Sequence, residues 1–191
     1  MKKLFFIICI FFFSINSSFA VFFIDAQGDY ISTGDYDPVM GGGLGIGFGL
    51  TDDVSFIIRC STASNTENEG AIDEVSYDYS TATGGIEYTP PIAVLENYRI
   101  YWKNSLSLGA SMFEIDVKNA MDDEDSESGF IASFRTGLQF NFTQTIAPYF
   151  DLGYHKSFFS SNSDYSIGGW QADLGVRFYI FGNRDYETGY N

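Results

Sequence analysis

Eight charged residues share one parity within stretches of alternating polarity. Because successive side chains of a β-strand point to opposite faces, one parity corresponds to one face of a sheet. The set holds four acidic and four basic residues, so each buried charge can pair with an opposite one, which makes charge tolerable away from water. The pattern predicts an internal charge network of Asp25, Glu87, Asp151, Asp173, Arg59, Lys103, Arg135 and Arg177.

The chain has one histidine, His155, and Ser157 follows it two residues later. A serine nucleophile needs a neighbouring base, and that base needs an orienting carboxylate, which Asp164 or Asp173 would supply. The His-any-Ser spacing resembles that of lipid A deacylase, a barrel hydrolase of lipopolysaccharide, and gives an enzymatic alternative. That family's downstream Glu has no counterpart at the expected spacing here, and strand parity turns His155 inward with Asp151. We therefore predict a non-catalytic histidine and no enzyme activity.

A run of acidic residues between two stretches of alternating polarity is the candidate partner-binding loop. It contains Asp122, Asp123, Glu124, Asp125 and Glu127. Like charges this dense repel each other and stay solvated, so the simplest hypothesis is an anionic surface loop. A site for a divalent cation or a basic partner is the alternative. The spacing of an EF-hand with its central Gly is missing, so a dedicated calcium loop is not predicted.

The two ends of the chain indicate export and a short tail. Lys2 and Lys3 precede an apolar run, and small residues stand at the two positions that a signal peptidase reads, which predicts a signal peptide over 1–20 with cleavage after Ala20. Residues 21–181 are predicted to form one domain, and 182–191 a periplasmic tail. The mature chain keeps only Cys60, so an internal disulfide and a Cys-based metal site are excluded. No cofactor is predicted.

Charge restricts the partners. The chain has 10 basic and 25 acidic residues, and removal of Lys2 and Lys3 leaves 8 against 25, a net charge of −17. Nucleic acid is excluded as a partner, because phosphate binding depends on Lys and Arg. No mature segment is apolar for long enough to form a membrane helix, so entry into a bilayer requires a closed barrel.

The C-terminal stretch WQADLGVRFYIF shows the strand pattern most clearly. One parity carries apolar side chains suited to lipid, and the other carries Asp173 and Arg177, which a membrane barrel accepts in its interior. The same alternation predicts an all-β, eight-stranded, antiparallel up-and-down transmembrane β-barrel. The predicted strands are 22–32, 41–50, 54–63, 75–89, 99–117, 130–142, 146–159 and 167–181. The predicted lipid-facing residues are Leu44, Ile46, Phe48, Leu50, Val54, Phe56, Ile58, Leu106, Leu108, Phe134, Leu138, Phe140, Phe150 and Leu152.

The connections alternate in length. Residues 51–53 and 143–145 are predicted as tight periplasmic turns, and 64–74, 118–129 and 160–166 as longer extracellular loops, so both termini lie on the periplasmic side. Residues 90–98 are predicted as a long apolar turn, since two prolines end the fourth strand.

The predicted interior is filled by side chains. Strand two places glycines at its inward positions, which leaves room for Arg or Tyr side chains of neighbouring strands, and an eight-stranded barrel is only wide enough for its own side chains. We therefore predict a plugged lumen without an open pore. A glycine-rich phosphate cradle is not predicted, because no helix or P-loop Lys follows. A bulge near Gly84 and Gly85 is predicted to reconcile the two halves of strand four.

Three motifs carry a family resemblance over nearly the whole mature chain: GGGLGIGFGL followed by Thr51-Asp52-Asp53, QFNFTQTIAPYFDLGYH around the third turn, and the closing DLGVRFYIF. They resemble the OmpA/OmpX-type small outer-membrane barrels, including opacity-like surface proteins. The resemblance implies the outer membrane of a Gram-negative bacterium after export to the periplasm. Its implied partners are outer-membrane lipid, lipopolysaccharide, the barrel-assembly machinery and, through the loops, host or surface ligands.

The resemblance implies a non-enzymatic surface role in adhesion, host interaction or envelope integrity, and the fold alone does not choose among these. A soluble secreted β-sandwich that binds a partner is a further alternative, since short strands and turns also describe that fold. It would have to bury Arg135 and Arg177 in a core or expose a belt of phenylalanines to water.

Overall fold

The computed structural model describes residues 21–34, 36–67, 74–95, 98–118, 123–159 and 167–181. The predicted signal peptide, the predicted tail, the 160–166 loop and Asp122 lie outside these residues. Within them, every regular element is a strand: β1 (Phe22–Ile31), β2 (Val39–Gly49), β3 (Val54–Glu67), β4 (Glu74–Tyr88), β5 (Pro91–Leu95), β6 (Tyr98–Lys118), β7 (Asp123–Asn141), β8 (Ile146–Phe159) and β9 (Gly168–Phe181).

All these strands belong to one antiparallel sheet that closes on itself. Each long strand pairs with its neighbours in sequence, β1 pairs with β9, and β4 pairs with β6. The predicted eight-stranded up-and-down barrel is confirmed, and the sandwich alternative is wrong, because a sandwich requires two separate sheets. No helix among the described residues is long and apolar enough to cross a membrane.

The register of the strands determines how the barrel is built. Cross-strand partners followed from Ile24 through β2, β3, β4, β6, β7 and β8 lead to Gly168 on β9, whereas the direct β9 partner of Ile24 is Phe178. These positions are 10 residues apart, so the sheet closes with a stagger of 10 residues. With eight strands, that stagger tilts the strands by about 40° to the barrel axis. The interior has room for side chains and little else.

The two faces of the sheet differ as the alternation predicts. The predicted lipid-facing residues all point outward and are exposed or half-buried, with Leu44 65% and Leu106 61% exposed. Trp102 and Trp170 are also exposed, near the ends of their strands, where aromatic girdles of membrane barrels lie. The opposite parity is buried and largely polar. The outer wall is therefore suited to lipid, and the polar side chains are enclosed.

The two ends of the barrel differ in their connections. One end, the short-turn end, carries the turns at 51–53 and 143–145 together with Phe22 and Phe181. At the other end, the long-strand end, β4, β6 and β7 are paired as far as Glu74, Lys118 and Asp123. The predicted short turns are confirmed.

The predicted apolar turn at 90–98 is wrong, because most of it is strand β5. Pro90 and Pro91 have no N–H group to donate, so β4 ends at Tyr88, but the carbonyl oxygen of Pro90 still accepts a hydrogen bond of 3.0 Å from the Trp102 nitrogen. β5 then pairs with β6 on the same edge that β4 occupies farther along. The prolines interrupt the ladder locally, and the β6 edge continues beyond them.

The predicted loop at 118–129 is also largely wrong. β7 begins at Asp123, seven residues before the predicted start, and pairs with β6 without a register shift. β6 alternates Phe113, Ile115 and Val117 on its inner face, so it continues as a strand, and its partner follows it. Cross-strand hydrogen bonds therefore extend the hairpin despite repulsion among its carboxylates.

The predicted bulge in β4 is absent. β4 pairs with β3 and β6 in unbroken register, and Tyr79, Thr83 and Glu87 all point inward. Glycines line the inner face of β2 and leave room for side chains of β1 and β3. At Gly47, a Cβ atom would collide with the ring of Phe23, and at Gly45 it would approach Arg59 at 3.1 Å and Asp25 at 3.3 Å. The missing side chains of β2 make room for those of its neighbours.

A closed barrel predicts heat-dependent mobility on a gel. Residues 21–191, refolded in detergent, are expected to migrate at a different apparent mass before and after boiling, because the closed hydrogen-bonded sheet stays compact in denaturing detergent until it is heated. The measurement is electrophoresis of unboiled and boiled samples. Identical mobility of refolded samples that are soluble in plain buffer would contradict a membrane barrel.

Candidate functional site

The structure places all eight residues of the predicted charge network inside the barrel, each no more than 6% exposed. Six of them form one connected group, the central charge cluster: Asp25, Arg59, Glu87, Lys103, Asp151 and Arg177. Glu87 lies at its centre, because Arg59, Lys103 and Arg177 all approach this one carboxylate. Three cations around one anion, with Asp25 and Asp151 at the sides, leave the cluster formally neutral.

Arg177 on β9 makes the most contacts in this cluster. Its guanidinium donates to both oxygens of Asp25, at 2.7 and 2.9 Å, and to both oxygens of Glu87, at 2.6 and 3.1 Å. The planar fork of an arginine suits such bidentate pairs, which are among the strongest hydrogen bonds in proteins. The ring of Phe23 lies 3.7 Å from the guanidinium carbon and covers it from the short-turn end.

The other two cations of the cluster link it to further strands. Arg59 on β3 donates to Glu87 at 2.9 Å and lies 3.7 Å from Asp25. Lys103 on β6 donates to Asp151 on β8, and its ammonium lies 3.7 Å from the centre of the Tyr149 ring. The central charge cluster therefore joins β1, β3, β4, β6, β8 and β9 across the lumen.

The remaining two predicted residues lie nearer the long-strand end, together with one carboxylate that the sequence analysis missed. The Arg135 Nε atom is 3.0 Å from an Asp173 oxygen. Asp29 on β1 is the direct partner of Asp173 on β9 and is 5% exposed. Its parity matches that of Asp25 on the same strand, and this signal alone could have identified it. We call these three residues the outer acid group.

Apolar clusters lie inside the barrel on both sides of these charges. At the short-turn end, the cluster consists of Val21, Phe23, Ile57, Ala147 and Tyr179. At the long-strand end, it consists of Ile31, Val39, Ala63, Tyr79, Phe113, Ile131 and Ile167. Tyr36, from the β1–β2 connection, packs on the rings of Tyr77 and Phe113 at this end. The charged layer is therefore separated from water at both ends by packed side chains.

The hydrolase geometry is not assembled. Neither ring nitrogen of His155 has a hydrogen-bond partner, and the Ser157 hydroxyl instead contacts Tyr79 at 2.8 Å and Ser111 at 2.9 Å. His155 and Ser157 are 1% and 3% exposed and point into the lumen, away from any lipid substrate. Asp164 lies outside the described residues, and Asp173 contacts Arg135. No described contact makes His155 a base for Ser157.

The four predicted acidic loop residues that the structure describes all lie in strand β7. Asp123 and Glu124 open β7, Asp125 is exposed and Glu127 is half-buried, while Asp122 lies outside the described residues. Near this part of β7, neighbouring strands carry further carboxylates, namely Glu114 and Asp116 on β6 and Asp78 on β4. Within the described residues, no group of three or more His, Cys, Asp or Glu side chains is arranged to hold a metal ion.

No protein-family model matches this sequence, and no curated protein matches it. Solved structures do match its fold. Ail, the attachment invasion locus protein of Yersinia pestis, is 17% identical with a TM-score of 0.54, over 84% of this chain and 97% of that chain. Neisserial surface protein A is 16% identical with a TM-score of 0.56, over 83% and 96%. A major outer membrane protein of Thermus thermophilus is 12% identical with a TM-score of 0.55, over 84% and 99%.

These similarities establish the fold and confirm the predicted resemblance at that level. The chain has the fold of the small eight-stranded outer-membrane barrels, and it covers nearly the full length of the solved examples. The site within that fold is an internal charge network, and His155 is buried inside the barrel.

The contacts of Arg177 predict a large loss of stability when its charge is removed. Arg177→Met is expected to lower the free energy of unfolding by about 3–5 kcal/mol, because Asp25 and Glu87 lose their bidentate partner while buried. The measurement is urea unfolding of the protein in lipid vesicles. Arg177→Lys keeps the positive charge but loses the planar guanidinium, so its free energy of unfolding is expected to lie between those of wild type and Arg177→Met.

The control for this variant is Asp78→Asn, on the outer face of β4, which is expected to change the free energy of unfolding by less than about 0.5 kcal/mol. Equal stabilities of wild type and Arg177→Met would contradict the charge network as the support of the barrel.

A second variant tests the other buried arginine. Arg135→Ala is expected to lower the free energy of unfolding by a few kcal/mol in the same measurement, since it leaves Asp173 without its cation.

Proposed function

We propose that the protein is a non-enzymatic outer-membrane surface protein of a Gram-negative bacterium. Its plugged barrel anchors an acidic extracellular hairpin that binds partners, in adhesion, host interaction or envelope integrity. The observation that carries the proposal is the contrast between the two faces of the sheet. The inside is filled by paired charges between two apolar clusters, while the outward face at the long-strand end carries carboxylates.

The proposed orientation places the short-turn end in the periplasm. Short periplasmic turns and longer extracellular elements are the rule in such barrels. Export by the predicted signal peptide and insertion by the barrel-assembly machinery, through the closing DLGVRFYIF motif, belong to the same proposal. Outer-membrane lipid and lipopolysaccharide would then contact the apolar outer wall, where Leu44, Leu106 and Leu174 are exposed.

The hairpin of β6 and β7 is long enough to reach beyond the membrane. The two strands have 21 and 19 residues, whereas a tilted strand needs only about 9–11 to cross the hydrocarbon layer. β4 supports the hairpin along its length, through pairing as far as Glu74 with Lys118. A rigid three-stranded wall therefore presents the tip, and loops and tips held by rigid scaffolds are where partners are bound.

Carboxylates occupy facing register positions on this wall. Asp78 on β4, which is exposed, is the direct partner of Glu114 on β6, and Asp116 on β6 is paired in register with Glu124 on β7. Like charges placed opposite one another on a sheet repel, so an approaching cation gains attraction from both. We therefore propose that the partner presents Lys or Arg side chains.

Ail, one of the solved structures with a similar fold, was determined in complex with a heparin analogue, sucrose octasulfate, which is a polyanion. The present chain has a net charge of −15. Its acidic three-stranded wall is therefore expected to favour a positively charged partner. Immobilised poly-L-lysine and immobilised heparin are therefore the two probes that test the sign of the partner. We expect the detergent-solubilised protein to bind poly-L-lysine, with affinity falling as salt rises, and not to bind heparin.

Neutralising the tip tests where the partner binds. The variant with Asp122, Asp123, Glu124, Asp125 and Glu127 all changed to amides is expected to bind poly-L-lysine about tenfold more weakly, a loss of about 1.4 kcal/mol. A smaller variant, Asp78→Asn with Glu114→Gln, removes two charges from the wall and is also expected to weaken binding.

The matched control is Asp52→Asn with Asp53→Asn, which removes two charges at the short-turn end and should leave the affinity unchanged. An equal loss in this control and in the wall variant would show that net charge, and not the hairpin, determines binding. Binding to heparin alone would contradict a basic partner.

The plug makes a separate prediction about conduction. In planar lipid bilayers, the wild-type protein is expected to show no steady single-channel current, because Arg177, Lys103 and their carboxylates fill the lumen between the two apolar clusters. A steady current in most insertions would contradict the plugged interior.

A further inference from the structure

Two carboxylates lie side by side in the interior. Asp29 on β1 and Asp173 on β9 are direct cross-strand partners, both point inward, and they are 5% and 1% exposed. Directly opposite residues of an antiparallel pair have Cβ atoms about 4.5–5.5 Å apart. Two ionised carboxylates in such positions, away from water, repel strongly.

The count of buried charges shows the same excess. Among the described residues, the lumen holds five buried carboxylates, Asp25, Asp29, Glu87, Asp151 and Asp173, and four buried cations, Arg59, Lys103, Arg135 and Arg177. Glu74 is also buried, but it is the first residue of β4 and has the parity of the outer face, so it is not counted with the lumen. The central charge cluster balances itself with three of each. The outer acid group is left with two carboxylates and Arg135 alone, so one negative charge has no counterpart.

The hydrogen bonds of the two carboxylates show which of their oxygens lacks a donor. Asp173 is contacted by Arg135 at 3.0 Å and accepts hydrogen bonds from Gln171 at 3.1 and 3.2 Å. Asp29 Oδ1 accepts one from Gln27 at 2.6 Å, but Asp29 Oδ2 has no hydrogen-bond partner although it is buried. A buried oxygen without a partner costs free energy unless the group is protonated or otherwise satisfied.

We propose that Asp29 and Asp173 form a proton-binding site that holds one proton between them as an O–H···O hydrogen bond. The proton comes from solvent as the barrel closes, and the pair then carries a single negative charge, which Arg135 balances. Carboxyl pairs that share one proton are the established solution where two such groups cannot both ionise.

Every element packed around the pair is consistent with this assignment. Arg135 on β7 is the cation of the group. The other buried titratable residues on β8, β9 and β1 are Tyr149, Asp151, His155, Tyr179, Arg177 and Asp25. Lys103 pairs with Asp151, and Arg177 and Arg59 pair with Asp25 and Glu87, so none of these cations is left for Asp29. β2 faces Asp29 with Gly41, which carries no charge.

The site makes the stability of the folded barrel fall as pH rises. In the unfolded chain, both aspartates lose their protons near pH 4. The folded barrel retains one proton at higher pH, so its stability falls as rising pH removes that proton and leaves two facing carboxylates with one guanidinium. Protonation of the buried His155 would act with the opposite sign, since it would cost stability as pH falls.

The test is the melting temperature of the refolded mature chain in detergent from pH 6 to pH 9. Wild type is expected to lose at least about 3 °C across this range, which corresponds to about 1 kcal/mol. Asp29→Asn supplies a neutral donor of the same shape and is expected to remove the pH dependence, and Asp173→Asn is expected to do the same. Asp25→Asn, a buried carboxylate on the same strand, is expected to lower the melting temperature at every pH and keep the dependence.

Infrared spectroscopy tests the proton directly. A protonated-carboxyl stretching band is expected at neutral pH in wild type and is expected to be missing in Asp29→Asn and in Asp173→Asn. A melting temperature independent of pH, with no such band, would overturn the proposal. So would a melting temperature that follows added Na⁺ or Ca²⁺ instead of pH, since a metal cation would then be the counter-charge. If Asp29→Asn fails to refold, Asp173→Asn and the infrared band decide the outcome.

Discussion

The contact between Arg177 and two carboxylates is the constraint on which the barrel depends. Asp25 and Glu87 lie 152 and 90 residues from Arg177 in sequence, yet both must meet it in the middle of the lumen. A guanidinium enclosed by protein cannot remain unpaired, so β1, β4 and β9 can close only in the register that brings these three groups together. The same requirement extends through Arg59 and Lys103 to the other strands.

This arrangement separates stability from interaction. Charges inside the barrel pair with one another between two apolar clusters, whereas carboxylates at the long-strand end face outward on a wall of three paired strands. Changes on the outer side of the wall need not disturb the interior, because the two sets of side chains point to opposite faces of the sheet. A barrel built this way can vary its surface and keep its core.

The interior is not uniform along the barrel axis. In the central charge cluster, every charge has an opposite partner, and the guanidinium of Arg177 makes bidentate contacts with Asp25 and Glu87. Toward the long-strand end, Asp29 adds a carboxylate without an added cation, beside Asp173 on the neighbouring strand. In that half of the lumen, a shared proton completes the electrostatic balance together with the Arg135–Asp173 ion pair.

Alternation of polarity in the sequence was enough to predict the barrel, its outward face, its short turns and the burial of eight charged residues, because side-chain direction in a strand depends on parity alone. Local patterns failed at 90–98 and 118–129, where prolines and carboxylates indicated turn and loop. There the pairing edge of β6 determined the structure, and an edge is a property of the neighbouring strand. Parity also could not show which charges meet. The stagger of 10 residues on closure decided that Glu87 lies among three cations and that Asp29 lies beside Asp173, because only closure brings strands distant in sequence to the same height.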